Sequence, residues 1–256
     1  QEYTGSEIKP APEVKDGGKT LTPGGDFDFD YSANTNAGEA TLTITGKGNY
    51  TGTAEKKFTI SRKDIKGANI ELVSDSFTYN GEEQTVEIAS VTLPDGTDLN
   101  GNYKIIDNSN KATDAAKEII LTIEGTGNYT GTAATVWEIT RIDPKLEDFD
   151  VAPDLTAELT YNGEARIVTV TTKAGIRGMG AITVKYNGST ETPVNAGSYA
   201  ITIDIGEGGN YKAATGIAAG TLTIQKAAAP TLAEILGSHE YATTGEQTIS
   251  TAALVA

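Results

Sequence analysis

Cysteine is absent from the chain, which excludes disulfide bonds, thiolate metal sites and cysteine nucleophiles. Histidine occurs once, at His239, so the sequence supplies neither a histidine-rich zinc site nor a Ser-His-Asp relay in each part of the chain. Basic residues are few: 20 Lys and Arg stand against 35 Asp and Glu, a net charge of −15. A polyanion is repelled by nucleic acid and by anionic lipid, so neither is predicted as a partner.

Long apolar runs are also missing. No run approaches the roughly 18 residues that a membrane-spanning helix needs, and membrane insertion is therefore not predicted for this sequence. No signal peptide is recognisable, and the chain starts inside a repeated motif, so we expect a piece of a longer protein. The abundant residues are Thr, Val, Ile, Tyr and 29 Gly, a composition typical of strands joined by turns.

A repeat becomes visible when two short motifs are aligned. A Tyr-x-Gly motif opens each unit, and a Gly-Asn-Tyr motif follows, with the two tyrosines 47, 50 and 50 positions apart. The opening residues are Tyr3 and Gly5, Tyr79 and Gly81, and Tyr161 and Gly163. The later tyrosines are Tyr50, Tyr129 and Tyr211. The sequence therefore predicts three tandem repeats, at 1–61, 62–141 and 142–226, and a linker with the start of a fourth at 227–256.

Alternating strands flank each Gly-Asn-Tyr motif and predict the core. Leu42, Leu121 and Ile201 hold one position in the strand before the motif, since period-two alternation directs them to one face. Phe58, Trp137 and Leu222 hold one position in the strand after it. We interpret Trp137 as a core residue and not as an exposed ligand-binding ring.

The first repeat also contains the segment 26–31, Asp-Phe-Asp-Phe-Asp-Tyr. As a strand it would present Phe27, Phe29 and Tyr31 to the core. Its carboxylates, Asp26, Asp28 and Asp30, are weak candidates for a calcium site. They would be spaced about 6–7 Å apart along one strand and lack the turn of a calcium loop, so a solvated face is the preferred interpretation. No metal, cofactor or catalytic group is predicted.

Turn signals separate the strands. Asp16-Gly17-Gly18-Lys19 predicts a tight hairpin turn in the first repeat, and Pro94-Asp95-Gly96 the corresponding turn in the second. The third repeat has a glycine-rich loop, Gly175 to Gly180, in its place. The tyrosine of each Gly-Asn-Tyr loop has two interpretations: a platform for sugar rings, or a ring anchored in its own repeat with its hydroxyl bonded to backbone. The second is favoured because the loop recurs at a fixed distance from core strands.

Several of these motifs resemble MBG domains, tandem modules of large bacterial extracellular proteins. The resemblance rests on the Tyr-x-Gly opening, the closing Thr-Ile strand, the turns Asn36-Ala37-Gly38 and Asn195-Ala196-Gly197, and the loop from Gly46 to Gly52. The second repeat departs from the pattern with Asp114-Ala115-Ala116, and the third with the insertion Gly206-Glu207-Gly208. The resemblance implies an extracellular or cell-surface location and carries no catalytic residues.

The predicted fold is all-β, with small antiparallel, immunoglobulin-like β-sandwiches in an elongated array; β-grasp-like repeats are the alternative. Three repeats in a row would give a radius of gyration of about 30 Å, against roughly 18 Å for a compact chain. The predicted function is a non-catalytic structural or adhesive stalk. The alternatives are an adhesin module that binds a host glycan or extracellular protein, and an accessory module of an extracellular hydrolase. Strands of the fourth unit, with Ile249, Leu254 and Val255, are expected to pack on the third repeat or on a neighbouring molecule.

Overall fold

The computed structural model describes residues 1–229 and is all-β over that range, apart from one 3₁₀ turn at Leu146–Asp148. These residues contain no helix long and apolar enough to cross a membrane. The chain divides into two compact units: Gln1–Ile142 together with Gly209–Tyr211, and Asp143–Gly208 together with the chain from Lys212 onward. The predicted fourth unit, with His239, Ile249, Leu254 and Val255, lies outside the described residues.

The first repeat, in the first unit, contains five strands. They are β1 (Lys15–Asp16), β2 (Lys19–Thr20), β3 (Phe27–Ser32), β4 (Gly38–Gly46) and β5 (Thr53–Ile60). β3, β4 and β5 form an antiparallel sheet with β4 in the centre. β1 and β2 form the predicted hairpin, since Asp16 pairs with Lys19 and Gly17 adopts a φ of 56° that suits a glycine turn.

The second repeat, also in the first unit, contains ten short strands. They are β6 (Lys63–Asp64), β7 (Asn69–Leu72), β8 (Ser76–Thr78), β9 (Gln84–Thr85), β10 (Ile88–Thr92), β11 (Tyr103–Ile105), β12 (Lys111–Ala112), β13 (Ala116–Gly125), β14 (Tyr129–Thr130) and β15 (Thr132–Thr140). Its main sheet has the order β11-β13-β15-β8, with β8 parallel to β15. β7 and β10 form a separate antiparallel pair, and the predicted turn at Pro94-Asp95-Gly96 follows β10.

The second unit repeats this plan. Its strands are β16 (Phe149–Ala152), β17 (Leu159–Thr160), β18 (Thr169–Thr172), β19 (Ile182–Tyr186), β20 (Gly197–Ile205) and β21 (Ala214–Gln225). The main sheet has the order β17-β21-β20-β19, with β17 parallel to β21, and β16 pairs with β18.

A hydrophobic core joins the two sheets of the second unit. Phe149 and Val170 from the strand pair cluster with Ile201, Ile203 and Leu222 from the main sheet. Each such side chain contributes roughly 1.5–3 kcal/mol when fully buried. A core between two sheets makes this unit a small β-sandwich, as predicted, and distinguishes it from a single β-grasp-like sheet. Its main sheet is mixed and not purely antiparallel as predicted, since β17 pairs with β21 in parallel.

Five of the six predicted core positions are buried, and the prediction was wrong for Phe58, which is only partly buried and packs against the cluster of Ala40 and Ile60. Leu42, Leu121 and Ile201 lie in the central strands β4, β13 and β20, and all three are buried. Trp137 and Leu222 are each 1% exposed, and the Trp137 indole N–H donates to the Ser109 carbonyl at 3.4 Å. Alternation along these strands therefore located the core in the second and third repeats, and less completely in the first.

The prediction for segment 26–31 was wrong in part. Phe27 is 1% exposed, but Phe29 is 41% exposed and Tyr31 is only half-buried. Residues 1–61 form one three-stranded sheet and a short hairpin, without a second strand pair such as β16–β18. The centre of β3 is therefore left partly open to solvent, and the Phe29 ring meets the Tyr31 ring with 5.9 Å between centroids.

Candidate functional site at the repeat boundary

The Gly-x-Gly-Asn-Tyr loop has one shape in the first and second repeats. Gly46 N–H donates to the Gly52 carbonyl at 2.9 Å, and Gly125 N–H donates to the Gly131 carbonyl at 3.0 Å. The middle glycines, Gly48 and Gly127, have φ values of 64° and 62°. The loop backbone therefore has the same shape in both repeats, because glycine supplies the positive φ that it needs.

Close backbone contacts explain two of these glycines. A Cβ atom on Gly125 would lie 2.9 Å from the Thr130 nitrogen, and one on Gly46 would lie 2.8 Å from the Thr51 nitrogen. At Gly131 a Cβ atom would lie only 2.0 Å from Oδ1 of Asp64. Since Asp64 belongs to β6, this close contact brings the loop against the segment that joins the two repeats.

Asn128, in the loop of the second repeat, bonds to a turn of the first repeat. Its Oδ1 accepts a hydrogen bond from the Ala37 backbone N–H at 2.9 Å. Its Nδ2 donates to Oδ1 of Asn36, also at 2.9 Å. One amide side chain thus uses its acceptor and a donor on adjacent residues of the preceding repeat, a geometry that fixes the position of the loop.

The linker between these repeats is part of a sheet. Lys63 N–H donates to the Asn128 carbonyl at 2.9 Å, and β6 pairs in parallel with β14. Ser61 N–H donates to the Gln1 carbonyl at 2.7 Å in the first repeat. Only Arg62 therefore lies between the backbone bonds of one repeat and those of the next.

Tyr129 completes the contact. Its ring is 5% exposed and meets Tyr3 edge to face, with 5.5 Å between ring centroids. Burial raises the pKa of the Tyr129 hydroxyl above its ordinary value. The sequence interpretation placed this ring inside its own repeat, whereas the structure places it against the opening tyrosine of the preceding repeat.

The same set of contacts occurs a second time in the first unit, made by the segment Gly209–Tyr211. Oδ1 of Asn210 accepts from the Ala115 N–H at 2.8 Å, and its Nδ2 donates to Oδ1 of Asp114 at 2.9 Å. Tyr211 is 3% exposed and its ring lies 5.9 Å from that of Tyr79. Asp114 departs from the Asn-Ala-Gly pattern, but this position only accepts a hydrogen bond, so a carboxylate serves as well as an amide.

Two motif tyrosines, Tyr50 and Tyr161, are more accessible than Tyr129 and Tyr211. Tyr50 is half-buried, its hydroxyl lies 3.4 Å from Oδ2 of Asp16, and the Lys19 ammonium lies 5.9 Å from its ring centroid. Tyr161 is 41% exposed. The opening turn itself does not vary, because Gly5, Gly81 and Gly163 have φ values of 83°, 83° and 84°.

Of the three candidate calcium ligands, two bind different protein groups and the third is exposed to solvent. Oδ2 of Asp26 accepts from the Thr22 N–H at 2.8 Å, and Oδ2 of Asp28 lies 3.3 Å from the Lys47 ammonium. Asp30 is exposed on β3. Over residues 1–229, acidic and histidine side chains form no group suited to a metal ion.

The glycine-rich loop of the second unit has a packing role. A Cβ atom on Gly180 would lie 1.9 Å from the Gly206 carbonyl oxygen, and one on Gly208 would lie 2.3 Å from the Gly178 carbonyl oxygen. The loop and the insertion at Gly206–Gly208, two separate departures in sequence, therefore contact each other backbone to backbone. The sequence pattern alone gives no sign of this contact between the loop and the insertion.

The second unit also has an open groove of about 560 Å³ beside β16. Its lining mixes the apolar side chains of Leu146 and Val151 with the charged side chains of Asp150 and Lys173. Asp154 lies at its edge, and hydrogen bonds from the Thr156 backbone and hydroxyl hold the pKa of its carboxyl below the ordinary value.

Comparison with protein families identifies one part of the chain. Residues 154–228 match the family described as MBG domain. Neither the curated proteins nor the solved structures give a significant match.

Proposed function

Since its third repeat is an MBG domain, we propose that this chain is a non-catalytic stalk segment of a bacterial surface or secreted protein. The carrying observation is the contact set made by Asn128 and Tyr129 and made again by Asn210 and Tyr211. The function of an enzyme or of a ligand-binding module does not require that equivalent contacts recur along the chain. A stalk does, because its length depends on how each repeat is held to the next.

The short linker between the first and second repeats is suited to transmitting tension along the chain. With Ser61 bonded in the first repeat and Lys63 in the second, tension on the chain reaches folded structure after a single residue, Arg62. A Gly/Ser tether would instead behave as a flexible coil.

The arrangement of end strands supports it as well. The last strand of the second and third repeats pairs in parallel with a strand from the early part of the same repeat, in the pairs β8–β15 and β17–β21. The first strand of the second repeat, β6, likewise pairs in parallel with β14, which leads into β15, so force that pulls the two ends of this repeat apart shears these ladders. In the first repeat, the parallel bridge between Glu2 and Ser61 corresponds to the β8–β15 pair.

Single-molecule stretching of the whole chain tests this proposal. The second and third repeats, of about 80 residues each, should each release roughly 25 nm of contour length as a separate step, and the first repeat, 1–61, roughly 20 nm, at up to 3.3–3.6 Å per residue. Small-angle scattering should give a radius of gyration near 30 Å rather than 18 Å. One unfolding step for the entire chain, or a compact scattering profile, would contradict a stalk of independent repeats.

An adhesin module is the second candidate, favoured by the groove beside β16. Its lining of apolar and charged side chains is suited to a glycan or an extended peptide of a host protein. Glycan and extracellular-matrix arrays probed with the whole chain separate the two functions. Binding that is lost in the double variant Asp150→Asn/Lys173→Ala, and kept in Lys104→Ala on the second repeat, would favour the adhesin; absence of binding favours the stalk.

A further inference from the structure

We propose that an extended peptide segment of a partner protein, carrying lysine or arginine among apolar residues, adds as a strand to the open edge of β21 in the groove beside β16. This binding activity rests on the adhesin candidate, to which it assigns a ligand class, and a stalk can carry it unchanged. The main-chain groups at the groove, the way the third repeat opens it and its charges point to this ligand.

Most of one edge of β21 has no neighbouring strand. β17 pairs with β21 only at Ile224 and Gln225, so within the described residues no strand lies beside the outer edge of Ala214–Thr221. Tyr161 N–H donates to the Gln225 carbonyl, and main-chain groups alternate between the two edges of a strand. Thr221, four positions before Gln225, therefore directs its N–H and C=O to the outer edge, away from β20.

The open edge follows from a longer connection inside the third repeat. In the second repeat the connection 73–75 joins β7 to β8, and the Asp75 carbonyl accepts a hydrogen bond from the β15 backbone at 2.8 Å. The connection 153–158, which joins β16 to β17, is twice as long and turns on itself, with the Ala157 N–H bonded to the Asp154 carbonyl at 3.1 Å. The third repeat's own connection therefore explains why its last strand is uncovered here.

The opposite wall of the groove is a second open strand edge. In the described chain β16 pairs only with β18, and Lys173 N–H donates to the Asp148 carbonyl at 2.9 Å, so the even-numbered residues of β16 face β18. Val151 therefore directs its N–H and C=O away from β18, and it lines the groove together with Thr221. A peptide backbone supplies matching donors and acceptors along its whole length.

The lining favours a peptide over a sugar. Among the residues that line the groove, the aromatic one is Phe149, which is 4% exposed and belongs to the core, so no ring face is offered for stacking. Leu146 is 39% exposed, and Val151 and Leu155 are half-buried. These side chains provide an apolar surface for every second side chain of an added strand.

The charges at the groove determine the charge of the peptide. Asp150 and Asp154 are exposed carboxylates, against the single ammonium of Lys173. Oδ1 of Asp154 accepts hydrogen bonds from the Thr156 N–H and hydroxyl at 2.9 and 2.7 Å, which favour the ionised carboxylate. The net charge of −15 adds to the attraction for a cationic segment.

Titration of the whole chain with synthetic peptides, followed by amide NMR spectra, tests the proposal. The probe is acetyl-Lys-Val-Lys-Val-Lys-amide at up to about 1 mM, a range suited to so short a segment. We expect shifts at Val151 and Thr221 with this probe and none with its glutamate counterpart, and added salt should weaken the binding.

N-methylated probes test strand pairing directly. Methyl groups on the valine nitrogens remove the donors from one edge of the extended probe, and methyl groups on the lysine main-chain nitrogens remove them from the other. At least one of these two probes should bind about tenfold or more weakly than the parent, because the edge that faces β21 loses its donors. Equal affinities of all three would show that main-chain pairing is absent.

A charge swap locates the binding in the groove. Asp150→Lys should weaken binding of the lysine probe about 3- to 10-fold and allow the glutamate probe to bind. Glu71→Lys, on β7 of the second repeat, changes the net charge equally and should leave both affinities within about twofold. Both residues are exposed on short strands, so circular dichroism should show native folding in each variant.

Three results would overturn the proposal: no shifts at about 1 mM, equal effects of Asp150→Lys and Glu71→Lys, or shifts at the groove with a chitin tetrasaccharide in place of the peptide. The third would keep the adhesin candidate and reject the peptide. None would alter the stretching steps of single chains, so failure of peptide binding is distinguishable from failure of the stalk function.

Discussion

Replacing Asn128 by Ala removes the side chain that joins the first repeat to the second, and its cost can be worked out from two bonds. One comes from the Ala37 N–H and the other goes to Oδ1 of Asn36, both at 2.9 Å. A net contribution of about 0.5–1.5 kcal/mol for each bond gives roughly 1–3 kcal/mol. Asn128 is only half-buried and water can replace the lost partners, so about 1–2 kcal/mol is expected.

The chain provides its own reporter and its own control for this measurement. Trp137 is the single tryptophan and is buried in the second repeat, so its fluorescence follows unfolding of that repeat in urea. With an m-value of about 2 kcal/mol/M, the midpoint should fall by roughly 0.5–1 M in Asn128→Ala. Asn49→Ala removes the same side chain from the same loop at an exposed site and should change stability by less than about 0.5 kcal/mol. Equal effects of the two variants, or no effect of Asn128→Ala, would refute the assignment of these bonds to the repeat boundary.

Three further outcomes are expected. Asn210→Ala should destabilise the first unit by about 2–4 kcal/mol in the same urea assay, more than Asn128→Ala, because Asn210 is buried and one of its bonds goes to a carboxylate. Gly131→Ala should cost about 0.5–1.5 kcal/mol more than Gly52→Ala in thermal unfolding: both have φ above 80°, worth about 1 kcal/mol, but at Gly131 the Asp64 carboxylate must also turn away from the new Cβ atom and lose its hydrogen bond from the Lys66 N–H. Hydrogen bonds from Lys63 and Thr97 hold the pKa of Asp95 below its ordinary value, so its stabilising effect is present at neutral pH and is lost as pH falls through the lowered pKa; carboxyl NMR titration should show this pKa rising toward the ordinary value in Lys63→Met.

Much of the fold could be predicted because each repeat obeys local rules. Alternation located Leu121 and Trp137 in the core, and the Gly17 turn signal located a hairpin. Phe29 did not follow the rule, since alternation specifies a face of a strand but not whether a second sheet covers that face.

The repeat-boundary site could not be predicted from local pattern alone. Asn128 and Asn36 are 92 residues apart, and Asn210 and Asp114 are 96 apart, so each bond joins a loop to a turn of the repeat before it. Asn is favoured in turns and loops for local reasons, so its presence at Asn36 or Asn128 does not by itself indicate a hydrogen bond between the two. Two features of the sequence could have revealed the pairing. The loop Asn follows the turn Asn or Asp by a similar number of residues in both cases, 92 and 96, and each accepting position holds an Asn or an Asp.

The repeated contact is hardest to recognise from the sequence at Asp114. In sequence it breaks the Asn-Ala-Gly motif, yet in the structure it accepts the same bond as Asn36. Asn and Asp differ as residue types, but the contact depends on the ability to accept a hydrogen bond, for which the two are equivalent at this position.

The amide group of Asn128 recognises a main-chain N–H and one oxygen, neither of which identifies the repeat that supplies it. Neighbouring modules therefore need not evolve together: one can be duplicated, deleted or moved along a gene, and its new neighbour will still offer the groups it requires. Surface positions are then free to diverge from module to module, and the number of modules can change over generations without any new interface having to arise.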